Sequence, residues 1–340
     1  MTSLMPTTEN LSEPHEPHWV NRAAFQIIVI AFVLTEVALG AAIFRGWVWL
    51  AVPLVLIASH FMHGLLIGFH EATHGMLRRN RRFNEFDGIV IGMFGFMSFS
   101  LYRAAHQTHH AHLGTERDEE LWPFVHPEKP RWFRIFAAFA ELTAGLLFTP
   151  FLFLRTFLRA GSPIRSKKVR RRIWAELALS VAVLSGMLAT VAHWHAWTYL
   201  VWMYLVPSAI AANLQSWRKY IEHVGLTGST VNSATRNIVA ESWPGRLMAF
   251  TLLHEPFHGV HHRHAGLPHA ELPQFAAELQ PKSPDERSPF PSYRHALLDL
   301  LRSLADPRVG AQWRTAKPDR DRARSASEAG TASVATKCES

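Results

Sequence analysis

The sequence predicts an all-α integral membrane protein, with four transmembrane helices in two hairpins, interfacial helices and a cytoplasmic histidine-rich cap. Three observations predict it. Four apolar stretches, at 23–44, 47–69, 173–191 and 196–214, are long enough to cross a bilayer, which takes about 20 residues of helix. The links inside each pair are very short: Arg45-Gly46 in one, the turn around His193-Trp194-His195 in the other. Histidine clusters and basic runs lie outside the stretches, on the side away from those links.

Taken in order, stretches 23–44 and 47–69 form the first hairpin and 173–191 and 196–214 the second. Trp47, Trp49, Trp194 and Trp197 stand at the hairpin tips, where aromatic residues favour the membrane–water interface. Between the hairpins lie Arg78-Arg79-Asn80-Arg81-Arg82 and Lys167-Lys168-Val169-Arg170-Arg171-Arg172. Positive charge marks the cytoplasmic side, so the N-terminus, the central segment and the C-terminus are expected there. Two further apolar stretches are ambiguous. Stretch 86–101 is short and holds Gly88, Gly92 and Gly95, and 135–154 holds Glu141 and Pro150. If 86–101 crossed once, the histidines on its two sides would lie on opposite faces of the membrane. Cooperation between them requires 86–101 to dip into the interface or lie along it. By the same parity 135–154 is expected to be interfacial or re-entrant. Residues 293–304 carry Ala296, Leu297, Leu300, Leu301 and Leu304 at helical spacing, a short amphipathic helix. The expected division is an N-terminal cytoplasmic segment 1–22, a membrane domain 23–305 and a disordered tail 306–340, poor in large apolar residues. No signal peptide is expected, because no basic stretch precedes an apolar run in residues 1–21.

Composition narrows the chemistry. The chain has 340 residues, a net charge of +8, 48% hydrophobic residues and one cysteine, Cys338. One cysteine allows neither an internal disulfide nor a thiolate metal cluster, so a metal would need His, carboxylate and water ligands. The basic charge flanks membrane stretches. It therefore reads as a topology signal in contact with anionic lipid, or as a surface for an acidic electron-transfer partner, and not as a nucleic-acid interface.

The histidine clusters are His70-Glu71-Ala72-Thr73-His74, His106-Gln107-Thr108-His109-His110 and His258-Gly259-Val260-His261-His262. Residues three and four apart share a helix face, so each cluster points its imidazoles into one volume. Imidazole binds iron, zinc and copper well, and eight exceed what one ion can use, which argues for a metal pair. His223, just past the fourth stretch, enters the same volume as a ninth ligand, and His254 is a ligand or outer donor. His112 lies just outside its cluster and is a weaker candidate. Glu71, Asp118 and Glu222 are candidates to take the second imidazole N–H; Asp118, Glu119 and Glu120 read equally well as surface acids. His60 and His63 lie within the second apolar stretch, His63 on the face of His70, and a buried hydrogen-bonded role fits both. Phe94, Phe96, Phe99 and Trp217 could shape a pocket, although ordinary packing explains them as well.

The order and spacing of these boxes between two hairpins resembles the membrane fatty acid desaturase family, over residues 47–273. The context is similar too. Gly114-Thr115-Glu116-Arg117-Asp118-Glu119 follows the second box, and His261-His262-Arg263-His264-Ala265-Gly266-Leu267-Pro268 leads to Leu272-Pro273 after the third, as in acyl-lipid desaturases. Three residues separate the histidines of the first box, again the acyl-lipid spacing. No His-Pro-Gly-Gly is present, so no fused cytochrome b5 domain is expected. The resemblance implies two non-haem irons, O2 as co-substrate, an acyl chain in membrane lipid as substrate, and electrons from an external donor of ferredoxin or cytochrome b5 type. Diiron lipid or carotenoid hydroxylases and ketolases have similar boxes and are the close alternative. His70-Glu71-x-x-His74 also fits an intramembrane zinc metalloprotease, which leaves the other boxes unexplained. A haem protein would place its paired histidines within opposed spans, whereas most here lie beyond them.

Overall fold

The computed structural model describes residues 16–316, which are helical with no strand; one isolated parallel bridge joins Ile238 and Phe290. The principal helices are α1 (Ala24–Phe44), α2 (Val48–His74), α3 (Arg81–Phe94), α4 (Phe99–Ala111), α5 (Arg131–Leu158), α6 (Lys167–His193), α7 (Val206–His223), α8 (Trp243–Thr251), α9 (His258–Arg263) and α10 (Tyr293–Ser303). Of these, α1, α2, α5 and α6 are long and apolar enough to cross a membrane. The apolar side chains of α1 are mostly uncovered, with Val33, Leu34 and Val37 exposed, as a helix facing lipid tails requires.

Helices α1 and α2 run along one another, joined through Gly46 at φ +67°. Asn80 and Ser98 begin α3 and α4 by accepting from the backbone N–H of Arg82 and Leu101. These two helices meet at 102°, so stretch 86–101 is a sharp bend and not one straight crossing. The bend returns the second histidine box to the end of α2. Gly92 permits it, because a Cβ there would lie 2.4 Å from the carbonyl oxygen of Met97.

Two expectations need correction, and one takes a definite form. The stretch 135–154 belongs to α5, whose two arms meet at a kink at Ala144. Phe133 and Arg155, on opposite arms, both lie against the Trp122 ring, so the stretch turns back on itself as parity requires. Glu141 is the one carboxylate of this apolar stretch. It is buried and satisfied, paired with Lys219 and accepting from the Tyr220 hydroxyl at 3.0 Å. The stretch 196–214 is a helical turn, Trp197–Tyr199, then a π-helical segment, Leu200–Leu205, running directly into α7. It does not pair closely with α6: α7 packs on α2 and α5, while α6 packs on α3 and α4. Finally, residues 306–316 are ordered against the fold. Val309 is buried, its N–H reaches the carbonyl of Phe124, and the Trp313 indole donates to the same oxygen at 2.8 Å. The expected N-terminal segment up to residue 15 and the expected tail beyond 316, with Cys338, lie outside the described residues.

Candidate metal centre

The centre is assembled from the ends of helices. Gly75, at φ +81°, stops α2 directly after His74. Glu176 of α6 holds the start of α4 through Ser98 Oγ, Ser100 N–H and Ser100 Oγ at 2.7–2.8 Å. Asn237 accepts from the Gly259 N–H at 2.5 Å and fixes the start of α9. The three boxes and the end of α7 thereby meet in one buried volume.

Among the described residues, nine imidazoles fall into two convergent groups. His70, His74, His106, His110 and His261 have ring nitrogens within 4.8 Å of one another. His109, His223 and His262 form the second group, joined by His258, whose Nε2 lies 2.8 Å from that of His223 and 3.1 Å from that of His262. The rings of His110 and His262 stack at 4.3 Å where the groups adjoin. Each H-x-x-H-H box divides in the same way. Its outer pair, four residues apart, enters one group and its middle histidine the other. At 3.6 residues per turn the middle position points ~100° away from the histidine after it, so one helix can face two centres.

The donor chemistry suits cations. Asp118 accepts from His109 Nδ1 at 2.9 Å, Glu120 from His106 Nδ1 at 2.8 Å and Glu255 from His258 Nδ1 at 3.0 Å. The Ala234 carbonyl accepts from His223 Nδ1 at 3.2 Å. An ionised carboxylate only accepts, so the proton sits on Nδ1 and the Nε2 lone pair faces inward. His106 Nε2 then meets the Nε2 atoms of His70, His74 and His110 at 2.8–3.1 Å. A single hydrogen cannot satisfy such a set of lone pairs, whereas a metal ion can. Burial pushes His258 down to about 4 and, with neighbouring imidazoles, holds His261 and His262 well below the usual histidine range. Neutral imidazole is the form that binds metal.

The other sequence candidates take varied positions. Asp118 also accepts from the N–H groups of Gly114, Glu120 and Leu121, which fixes the loop after α4. Glu71 is buried, 3.8 Å from His70 Nδ1 and 3.9 Å from His261 Nδ1, without a hydrogen bond to either. Glu222 lies on the inner side, 3.6 Å from His258 Nε2. His254 joins neither group; its ring is 6.3 Å from that of His269. His112 caps α4 outside both groups, and His60 bonds Thr251 Oγ1 at 2.8 Å. Glu119 pairs with Arg155 and Arg159 instead of a histidine.

Glu255 and Arg218 escaped the sequence reading. Glu255 serves His258, and its Oε2 is 3.4 Å from His70 Nδ1. Arg218 joins Glu222 and Glu255, each at 2.7 Å. The spacing of three from Glu255 to His258 was a signal, but Glu255 lies in a turn before α9.

Beside the centre is an apolar cavity of about 490 Å³. Phe69, Leu66, Phe94, Met97 and Tyr102 help to line it, and the Tyr102 ring stacks on His106 at 5.3 Å. Of the aromatics singled out, Phe94 lines this cavity, Phe99 packs against Tyr102 and Phe69 in the core, and Trp217 packs with α5 and α10.

A model of the fatty acid desaturase family matches residues 47–294. The chloroplastic omega-3 fatty acid desaturase of Glycine max is 29% identical to this chain over 139 residues. That alignment takes in 40% of this chain and 29% of the relative, so the chain matches under a third of the relative's length.

Proposed function

The chain belongs to the fatty acid desaturase family, and from that premise we propose that it is an O2-dependent, non-haem diiron acyl-lipid desaturase. The observation that carries this reading is the division of nine imidazoles into groups of five and four beside an apolar cavity. His70, His74, His106, His110 and His261 would hold one iron; His109, His223, His258 and His262 would hold the other. Two irons bound there would supply the O2 activation and oxidising strength that removal of hydrogen from an unactivated methylene demands.

The chain's own residues do the positioning. Asp118, Glu120 and Glu255 keep Nδ1 protonated on His109, His106 and His258 and fix those three rings, so that their Nε2 lone pairs stay on the metal side. Tyr102 joins the cavity wall to His106, which sets an acyl chain lying in the cavity beside the centre. The burial of His70, His106 and His261 keeps bulk water from the reacting methylene. Three further imidazoles, of His106, His110 and His261, crowd His70 and His74 and leave little room for the open position that a hydrolytic zinc site needs, which supports the diiron reading over a metalloprotease.

Exposed Arg79, Arg81, Arg82, Arg165, Lys167, Lys168 and Arg171 suit an acidic external electron donor of ferredoxin or cytochrome b5 type. In the same proposal, the histidine boxes and both termini face the cytoplasm. The test is the lipid profile of an expressing host with a defined fatty acid content. A product lighter by two hydrogens supports desaturation. One heavier by an oxygen atom would make the protein a hydroxylase, and an unchanged profile with two irons bound would contradict both.

A further inference from the structure

Glu36 is the only charged residue of α1, in a helix whose outer face suits lipid. An ionisable group at such depth is costly and marks function by default. Its Oε1 atom is buried and has no hydrogen-bond partner among the described residues. Glu36 also lines the cavity that Tyr102 joins to the histidines.

The two ends of that cavity are far apart. Ile28 of α1 packs against Gly64 of α2, which fixes the register of the pair. Glu36 lies eight residues beyond Ile28 towards the tip, and His70 lies six residues beyond Gly64 the other way. At 1.5 Å per residue, Glu36 stands about 21 Å along the helices from His70. Three other polar wall groups have partners: the Tyr204 hydroxyl donates to the Phe94 carbonyl at 2.7 Å, Ser208 Oγ contacts Met62 Sδ at 3.4 Å, and Gln215 accepts from Arg218.

We propose that Glu36 is a substrate-selecting residue that hydrogen-bonds a hydroxyl group carried on the acyl chain at the end remote from the histidines. This rests on the desaturase reading. A hydroxyl both donates and accepts, so it pairs with the carboxyl group in either protonation state. A methyl-ended chain would leave the buried Oε1 of this half-buried side chain without a partner. A site built to hold a hydroxyl rejects the analogue lacking it far more strongly than an apolar wall rejects a change in length.

The test feeds an expressing host equal amounts of a saturated long-chain fatty acid and its terminally hydroxylated form, and measures the dehydrogenated product of each. The wild-type chain is expected to favour the hydroxylated acid about tenfold or more. Glu36→Leu should reverse the preference, and Glu36→Gln, which keeps a donor and an acceptor, should retain it. Equal use of both acids by the wild type, or a preference for the plain acid, overturns the assignment of Glu36 while leaving the desaturase reading intact. So does a Glu36→Leu chain that still favours the hydroxylated acid. Conversion of neither acid by iron-loaded wild type overturns the desaturase reading, and this inference with it. The wild-type preference needs no variant, so poor folding of Glu36→Leu does not remove the test.

Discussion

Glu255 touches both histidine groups, through His258 Nδ1 at 3.0 Å and His70 Nδ1 at 3.4 Å, whereas Asp118 and Glu120 each serve one, through His109 and His106. That difference orders the expected effects of substitution. Loss of a carboxylate that orients a metal ligand lowers metal affinity about 10–100-fold. Glu255→Ala should therefore weaken both irons by that factor, and Asp118→Ala only the iron of the four-histidine group. Iron retention against a graded chelator reads both, and equal behaviour of the two variants would contradict the assignment. The boxes, His223 and the carboxyl of Asp118 were legible because helical spacing and a short loop bring them together locally. Glu255, Glu120 and Arg218 were not, since each reaches its partners through tertiary packing. The separation of His109 from His106 and His110 was also hidden. Sequence spacing shows that they lie near one face, and only the neighbouring helices show that two centres stand in front of it.

At the scale of elements, the turning back of 135–154 was legible from parity, but what holds α5 in place was not. A carboxylate in an apolar helix reads as a reason against burial, yet Glu141 is matched by Lys219 and Tyr220 of α7, some 80 residues away in sequence. Removing one member of a buried ion pair costs about 3–5 kcal/mol, and removing both costs far less. Lys219→Met should lower the thermal midpoint of the protein in detergent, and Glu141→Leu added to it should recover most of the loss. A double variant no more stable than Lys219→Met would show that the pair is not what holds α5 to α7. The kink itself has a packing cause. Gly145 donates its N–H to Asn213 Oδ1 at 2.8 Å, and a Cβ there would come within 2.5 Å of Ser216 Oγ. Gly145→Leu should separate the two helices and destabilise the fold by about 1–3 kcal/mol from overpacking alone, measured by the same melt. The bend between α3 and α4 was legible from topology: the first two boxes could meet only if 86–101 turned back.

For the whole molecule, the four long apolar helices and the family make this a membrane protein. It should stay with the membrane through high salt and alkaline washing and leave it only in detergent; release by salt would contradict the spanning role. The apolar stretches were legible from hydropathy, but the packing partners of α6 and α7 were not, because lipid-facing and protein-facing apolar surfaces look alike in sequence. The histidine end of the fold and the apolar cavity together define the central claim, a centre for two metals beside a chain-binding space. Its most direct test is the iron content of the protein purified without oxygen. About two irons per chain are predicted, falling to about one in His223→Ala, which removes a ligand from the four-histidine group alone. One iron or fewer in the wild-type chain, or an unchanged two in His223→Ala, would contradict the account.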